Sequence, residues 1–237
     1  MNLFMRLFII LLTSLIIFSS CQKKETTPIK EISKKKSVID TPVKVKKNTS
    51  IIQEFDTISR KNTIEFLTAY GKENPETEVL IETRLGDIKI RLYRDTPIHR
   101  ASFIFLTKVG YFSTTCVHRI VQDFVVQGGN SEQPKTRRFR SKYQSYTIPE
   151  EFRKNRKHKY GALAAARDWD NNPNKRSTPF EFYFVQDKNG SYHLDGEHTV
   201  FGEIISGFDT LEKIALVEIG NDEWPVEDVF FKVSVIK

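Results

Sequence analysis

From Val79 to Tyr93 the chain reads VLIETRLGDIKIRLY, with apolar residues at alternate positions on either side of Leu85-Gly86-Asp87. A period of two puts successive side chains on opposite faces, so this stretch predicts two strands of a hairpin. Strand-like runs recur at Phe180 to Val185, Val200 to Ile204 and Val229 to Ile236, and Tyr160 to Ala166 returns to the interior after a polar stretch. Helical spacing is confined to two segments of this part. Pro97 opens the first, with Ile98, Phe103, Phe105, Leu106 and Val109 on one face and Gly110 as its stop; the second is Gly207 to Ile214. So many short antiparallel strands leave edges that invite pairing with other chains. A closed barrel removes those edges, and a two-sheet sandwich is the other arrangement that strand counting allows.

The chain divides by composition. Residues 1–20 hold Arg6, an apolar run from Leu7 to Phe18 broken by Thr13 and Ser14, and then Ser19-Ser20 before Cys21. The run falls short of the ~20 residues that a bilayer span requires, so it reads as a cleaved signal. Small residues before a cysteine resemble a bacterial lipoprotein signal, in which Cys21 is lipidated; Phe18 departs from the usual leucine, and an ordinary signal peptide is the alternative. Residues 21–50 carry nine lysines against Glu25, Glu31 and Asp40 and few large apolar groups, which makes a flexible tether suited to anionic headgroups. Residues 51–75 form a helical extension in which Ile51, Ile52, Phe55, Ile58, Phe66, Leu67 and Tyr70 supply an apolar face, with Asn62 or Thr63 as a break or cap.

The net charge of +7 belongs to the signal and tether, because 27 basic residues meet 27 acidic ones from residue 51 onward. A nucleic-acid surface is therefore excluded. No cluster of His, Cys and carboxylates has ligand spacing and no glycine loop suits a phosphate, so neither metal nor cofactor is expected. With Cys21 lipidated, Cys116 is a lone thiol that reads as a small buried hydrophobe. Residues 131–160, with Arg137, Arg138, Arg140, Lys142, Arg153, Lys154, Arg156 and Lys157, read as a solvated loop.

The most distinctive chemistry lies in VHRIVQDFVVQGGN, Val117 to Asn130, where Arg119 sits among large apolar residues. Strict alternation puts Phe124 and Val126 on the opposite pleat from Gln127 unless a bulge re-aims one of them. His118 reads as a packing residue or a partner for the backbone.

This segment is one of several that together resemble the cyclophilin-type peptidyl-prolyl cis-trans isomerases. The others are LGDIKIRLYRDTPIHRASFIFLTKVGYF at Leu85 to Phe112, GALAAA at Gly161 to Ala166, FEFYFVQ at Phe180 to Gln186 and LDGEHTVFGEIISGFDTLEKI at Leu194 to Ile214, all in the family's order. The resemblance covers residues 76–237 and implies a mainly β fold, a closed eight-stranded antiparallel barrel with two capping helices and a proline-binding groove on its outside. It implies that Arg119 catalyses and that Gln127 positions it. Phe124, Val125, Tyr183, Leu194, His198 and the Ala165-Ala166 backbone are implied to line the groove. Val125 stands where methionine is common and Tyr183 where phenylalanine is usual. His193 replaces a frequent tryptophan, Arg167 an asparagine that bonds substrate backbone, and Glu181 a glutamine. Arg167 and Glu181 pairing with each other would keep the groove near neutral. The resemblance also implies a monomer acting on proline-containing polypeptides; the lipoprotein-like signal, which it does not cover, implies that these are envelope or secreted proteins and that the protein is held by its N-terminal lipid in the bacterial cell envelope, on the periplasmic side or at the outer membrane. A catalytically weak peptide-binding module of the same fold, or a chaperone, is the alternative.

Overall fold

The computed structural model describes residues 57–143 and 146–237. The signal, Cys21, the tether and the first part of the extension lie outside these residues.

Helix α1 (Thr63–Glu73) follows Asn62, one of the two residues read as its cap. It buries Phe66 and Leu67 and stacks Phe66 edge-on to Phe105, with centroids 5.4 Å apart. Strands β1 (Glu78–Thr83) and β2 (Gly86–Leu92) form the hairpin. Its turn is Arg84-Leu85, because Thr83 already faces Gly86 across the ladder, one position earlier than the alternation suggested. Helix α2 (Pro97–Lys108) starts on proline, and Gly110 at φ +81° takes the chain out of it. Strands β3 (Cys116–Val121) and β4 (Val125–Asn130) follow, then helix α3 (Pro134–Tyr143), strands β5 (Ala162–Ala165), β6 (Phe182–Val185) and β7 (Val200–Ser206), helix α4 (Phe208–Ala215), and strands β8 (Val229–Phe230) and β9 (Lys232–Val235).

All strand pairs are antiparallel, in the order β8-β3-β4-β6-β5-β7-β2-β1-β9. Nine strands replace the expected eight for a simple reason. The closing run from Val229 is divided at Phe231, so that its first part pairs with β3 and its second part pairs with β1. One bent segment therefore joins both ends of the sheet, giving a nearly closed barrel. Its interior is filled by side chains: Phe103, Phe112, Phe182 and Phe201 meet at centroid distances of 4.5 to 5.7 Å. Each fully buried large apolar side chain contributes about 1.5–3 kcal/mol.

Four helices lie among the described residues: α2 and α4 are the two expected for the barrel, α1 lies in the expected extension, and α3 corrects the reading of 131–160 as a solvated loop. Thr136, Tyr143, Tyr146, Ile148, Glu151 and His158 in this stretch are all buried. Glu151 accepts the Ile98 and His99 N–H groups at 3.1 and 2.9 Å, so it satisfies the N-terminus of α2, where Thr96 makes no side-chain cap. The exposed basic residues of this stretch hid a segment that holds a core helix in place.

Candidate active site

The geometry around Arg119 begins with a fault in β3. Val117 faces Gly128, but Arg119 faces Gln127, so two steps on β3 match one on β4 and His118 is the extra residue. Val117 belongs to the interior cluster, as do Ile120 and Val126. Without the bulge, alternation would leave Arg119 on the interior side with Val117. With it, Arg119 turns outward opposite Gln127 while Ile120 stays inside. The bulge is thus on the arginine's own strand, and it leaves Val126 on the opposite pleat from Gln127. Phe124 leaves the alternation altogether, since it sits in the turn before β4 with Asp123 at φ +55°.

The outward row continues across the sheet. Gln127 faces Tyr183 on β6, which faces Ala164 on β5, which faces Val200 on β7. Neighbouring strands are ~4.8 Å apart, so Arg119 and Tyr183 lie on strands ~10 Å apart with Gln127 between them. A second apolar cluster, separate from the interior one, occupies this outer face. It contains Val125, Ala162, Ala164, Tyr183, Val185, Leu194 and Val200, with Phe124 against it. His193 stacks on Phe124 at 5.6 Å and 17°. Gly128 and Gly129 fit the end of β4 for separate reasons: a Cβ on Gly128 would stand 2.5 Å from the Phe231 ring, and Gly129 at φ +102° would clash with the Phe180 carbonyl.

Two of the expected side-chain pairings do not form among the described residues. Gln127 does not hold Arg119; its amide donates to Glu181 at 3.1 Å. Arg119 instead donates Nε–H to Glu223 at 2.6 Å, with its side chain 36% exposed. Arg167 and Glu181 do not pair. Arg167 is bound to Glu197 through its carbonyl and carboxylate, both at 2.8 Å, and lies 4.0 Å from the Trp169 ring. Glu181 meets Arg140 at 2.8 Å and His118 at 3.5 Å. Burial opposes ionisation of Glu181, but the hydrogen bonds and charges of His118 and Arg140 outweigh it and hold the carboxyl down at about 2. Ala165 belongs to the interior cluster, and the Ala165-Ala166 backbone is largely committed: its N–H groups donate to Thr199 and Glu181, while its carbonyls accept from His198 and Thr178.

Tyr183 is tied down from behind. Its hydroxyl meets His158 Nε2 at 3.0 Å, and His158 Nδ1 meets Asp195 at 2.8 Å. Burial lowers the His158 pKa despite Asp195, and burial pushes the Tyr183 phenol well above its ordinary value. His198 lies edge-on to Tyr183 at 5.5 Å, and burial holds it at about 4. At neutral pH both imidazoles are therefore uncharged beside the apolar floor. His118 packs on Trp224 at 5.7 Å and leaves Nδ1 buried without a partner, so it makes the packing contact expected of it but no backbone bond through that atom. Cys116 is buried, which pushes its thiol up to about 12.

Sequence reasoning missed Glu223, Trp224, Trp169, Arg140 and the Asp195–His158 pair. Tyr183 in place of phenylalanine was the one available signal, since a buried phenol requires a partner. A cavity of about 1260 Å³ opens elsewhere, between α1, α3 and residues 168–180. Its lining mixes polar and apolar residues and does not include Arg119, Phe124 or Tyr183.

A family model described as cyclophilin type peptidyl-prolyl cis-trans isomerase/CLD matches residues 78–235. Among curated proteins, peptidyl-prolyl cis-trans isomerase-like 1 of Gibberella zeae is 33% identical over 155 residues, covering 65% of this chain and 90% of the relative. Peptidyl-prolyl cis-trans isomerase CYP18-2 of Arabidopsis thaliana is 29% identical over 159 residues, covering 66% and 92%. A crystal structure of a cyclophilin type isomerase of Cryptosporidium parvum, obtained in the presence of the dipeptide Ala-Pro, has the same fold. Its TM-score is 0.56 at 23% identity, with 68% of this chain and 99% of that chain covered.

Proposed function

The chain belongs to the cyclophilin-type peptidyl-prolyl cis-trans isomerases, and we propose that it rotates X-Pro bonds by donating a hydrogen bond from Arg119 to the imide nitrogen. The uncatalysed rotation faces a barrier of about 18–20 kcal/mol because resonance flattens the C–N bond. In the twisted state the nitrogen becomes pyramidal and regains its lone pair. A guanidinium donor then finds an acceptor that the planar ground state lacks, so the interaction favours the transition state alone. The observation that carries this reading is the outward row Arg119–Gln127–Tyr183–Ala164, set by the bulge at His118 and bordered by Phe124, Val125 and Leu194. An acceleration of about 10⁵ requires about 7 kcal/mol, and a charge-assisted hydrogen bond contributes about 1.5–3 of it. The remainder falls to the apolar wall, which fixes the proline ring while the preceding carbonyl turns.

A proline-isomerisation assay on a soluble form beginning at Asn48 tests the assignment. Arg119→Ala is expected to lower kcat/KM by about 10²–10³. An undiminished rate in that variant removes Arg119 from the chemistry. A folded parent that binds proline peptides without turnover favours the binding module instead, a reading supported by Arg167 and Glu181 being held by Glu197 and Arg140 rather than free for substrate.

The clients are taken to be envelope or secreted polypeptides, and the protein a monomer held by lipid on Cys21. Support comes from the short apolar run before Ser19-Ser20-Cys21 and the lysine-rich spacer after it. Cys21→Ser is expected to move the protein from the membrane to the soluble fraction, with its domain accessible to protease outside the cytoplasm. Membrane retention of that variant counts against lipidation.

A further inference from the structure

β3 has two neighbours for only part of its length. On one side β4 runs along it, but on the other β8 pairs only with Cys116 and Val117. Beyond them the edge is taken over by a small hairpin closed by an Ile219–Pro225 bridge and by Gly220 N–H to Trp224 O at 2.8 Å. Its tip supplies the missing acceptor: Ile120 N–H bonds to the Glu223 carbonyl at 2.9 Å. The next side chain, Trp224, packs on His118, the bulged residue, and is fixed by Nε1–H to Asp228 at 2.9 Å.

Glu223 holds a left-handed backbone, φ +65°, that a residue with a Cβ adopts at a cost. The strain has a visible product. It turns the carboxylate onto Arg119, whose Nε–H bond to it at 2.6 Å is the arginine's one side-chain hydrogen bond among the described residues. Gln127 is occupied with Glu181 and supplies none. With Nε committed, the donors left for a bound peptide are the two terminal amino groups of the guanidinium.

We propose that Glu223 is the positioning residue for Arg119: the 219–225 hairpin clamps the edge of β3 and its carboxylate fixes the guanidinium so that the terminal amino groups face the imide nitrogen. This rests on the isomerase reading of Arg119. An arginine on a flexible stem loses rotamer freedom when it reaches the transition state, and an anchor made beforehand removes that cost from the rate. The pair is partly exposed, so its effect is modest.

The test compares Glu223→Ala, Glu223→Gly and Glu223→Gln in the isomerisation assay on the soluble form beginning at Asn48, with thermal melts confirming the fold. Glycine accepts the positive φ and so keeps the hairpin while deleting the carboxylate. The Ala and Gly variants are expected to lose about three- to tenfold in kcat with KM within twofold of wild type. Glutamine retains an acceptor for Nε–H and is expected to recover at least half the rate. In an Arg119→Ala background, Glu223→Ala should change nothing further. Wild-type kcat in the Gly variant overturns the proposal, because it assigns the residue to loop shape alone; so does an additive double variant. A parent that is inactive, or indifferent to Arg119→Ala, removes the isomerase reading and this inference with it. A parent sensitive to Arg119→Ala but not to any change at Glu223 removes only the inference.

Discussion

At the scale of single residues, the outer apolar cluster around Tyr183 is bordered by neutral histidines. His198 is held at about 4 by burial, which outweighs the help its protonated form would receive from the Ala165 carbonyl, and Arg167 adds to the depression. His158 is lowered by burial too. Below the ordinary histidine pKa of about 6.5 the unfolded chain takes up protons that the folded chain refuses. Stability is therefore expected to fall as pH drops from about 6.5 towards 4. Glu181 works in a lower window: its stabilisation is present above the ordinary carboxyl pKa and is lost as pH falls through it towards about 2. His198→Gln, which keeps a donor for the Ala165 carbonyl, should shrink the change in urea midpoint between pH 7 and pH 4.5. An equal change in parent and variant argues against a His198 contribution. Arg119, Phe124 and Tyr183 were legible through the family motif, whereas Glu223 was not. It lies 104 residues from Arg119 in the chain, in a stretch with no periodicity, and only the folded edge of β3 brings the two together.

Elements show why some of the fold was readable and some was not. The β1–β2 hairpin and α4 announce themselves because each buries one regular face, and α2, buried on all sides from Ile98 to Thr107, because Pro97 and Gly110 bound its apolar run. α3 does not: in PKTRRFRSKY only Thr136 and Tyr143 are buried, too few to set a helical pattern against five basic side chains. Its value to the fold lies in the segment it leads into. Glu151 caps α2 from 52 residues away in sequence and also bonds His99 Nδ1 at 2.7 Å. Removing that carboxylate leaves two helix N–H groups buried without acceptors, each costing about 1–3 kcal/mol. Glu151→Ala is thus expected to lower the unfolding free energy by about 2–4 kcal/mol while kcat/KM stays within twofold, read by urea denaturation and the isomerase assay. A surface-like effect below 0.5 kcal/mol would return residues 131–160 to the status of a solvated loop. The bulge at His118 belongs to this scale as well. Nothing in the alternation of VHRIVQDFVVQGGN says which strand carries the extra residue, and that choice decides whether Arg119 faces the core or the outer side of the sheet.

For the whole molecule, barrel and sandwich were indistinguishable by strand counting, and the decision rests on a single segment. Residues 229–236 read as one closing strand because Val229, Phe231, Val233 and Val235 keep the alternation, yet the chain bends at Phe231 and serves two partners. Phe231 N–H bonds to Thr115 O at 3.0 Å, and its ring lies on Phe182 at 5.8 Å and against Gly128. The end of the chain then meets the start of the barrel, with the Lys237 carbonyl accepting from Thr77 and Glu78. These contacts join residues far apart in sequence, so their loop-closure cost comes due before they stabilise anything. Removing 229–237 uncovers β1 and β3 together, two unpaired edges beside an opened aromatic core. That truncation is expected to bind a hydrophobic dye, lose its cooperative thermal transition and self-associate on size exclusion. Phe231→Ala keeps both ladders and deletes only the ring, so it should unfold cooperatively with a loss of about 3–5 kcal/mol. A truncated chain that stays monomeric and melts sharply would mean that the remaining strands close without the bent segment. The row that carries Arg119 would then owe its shape to β4, β6 and β5 alone.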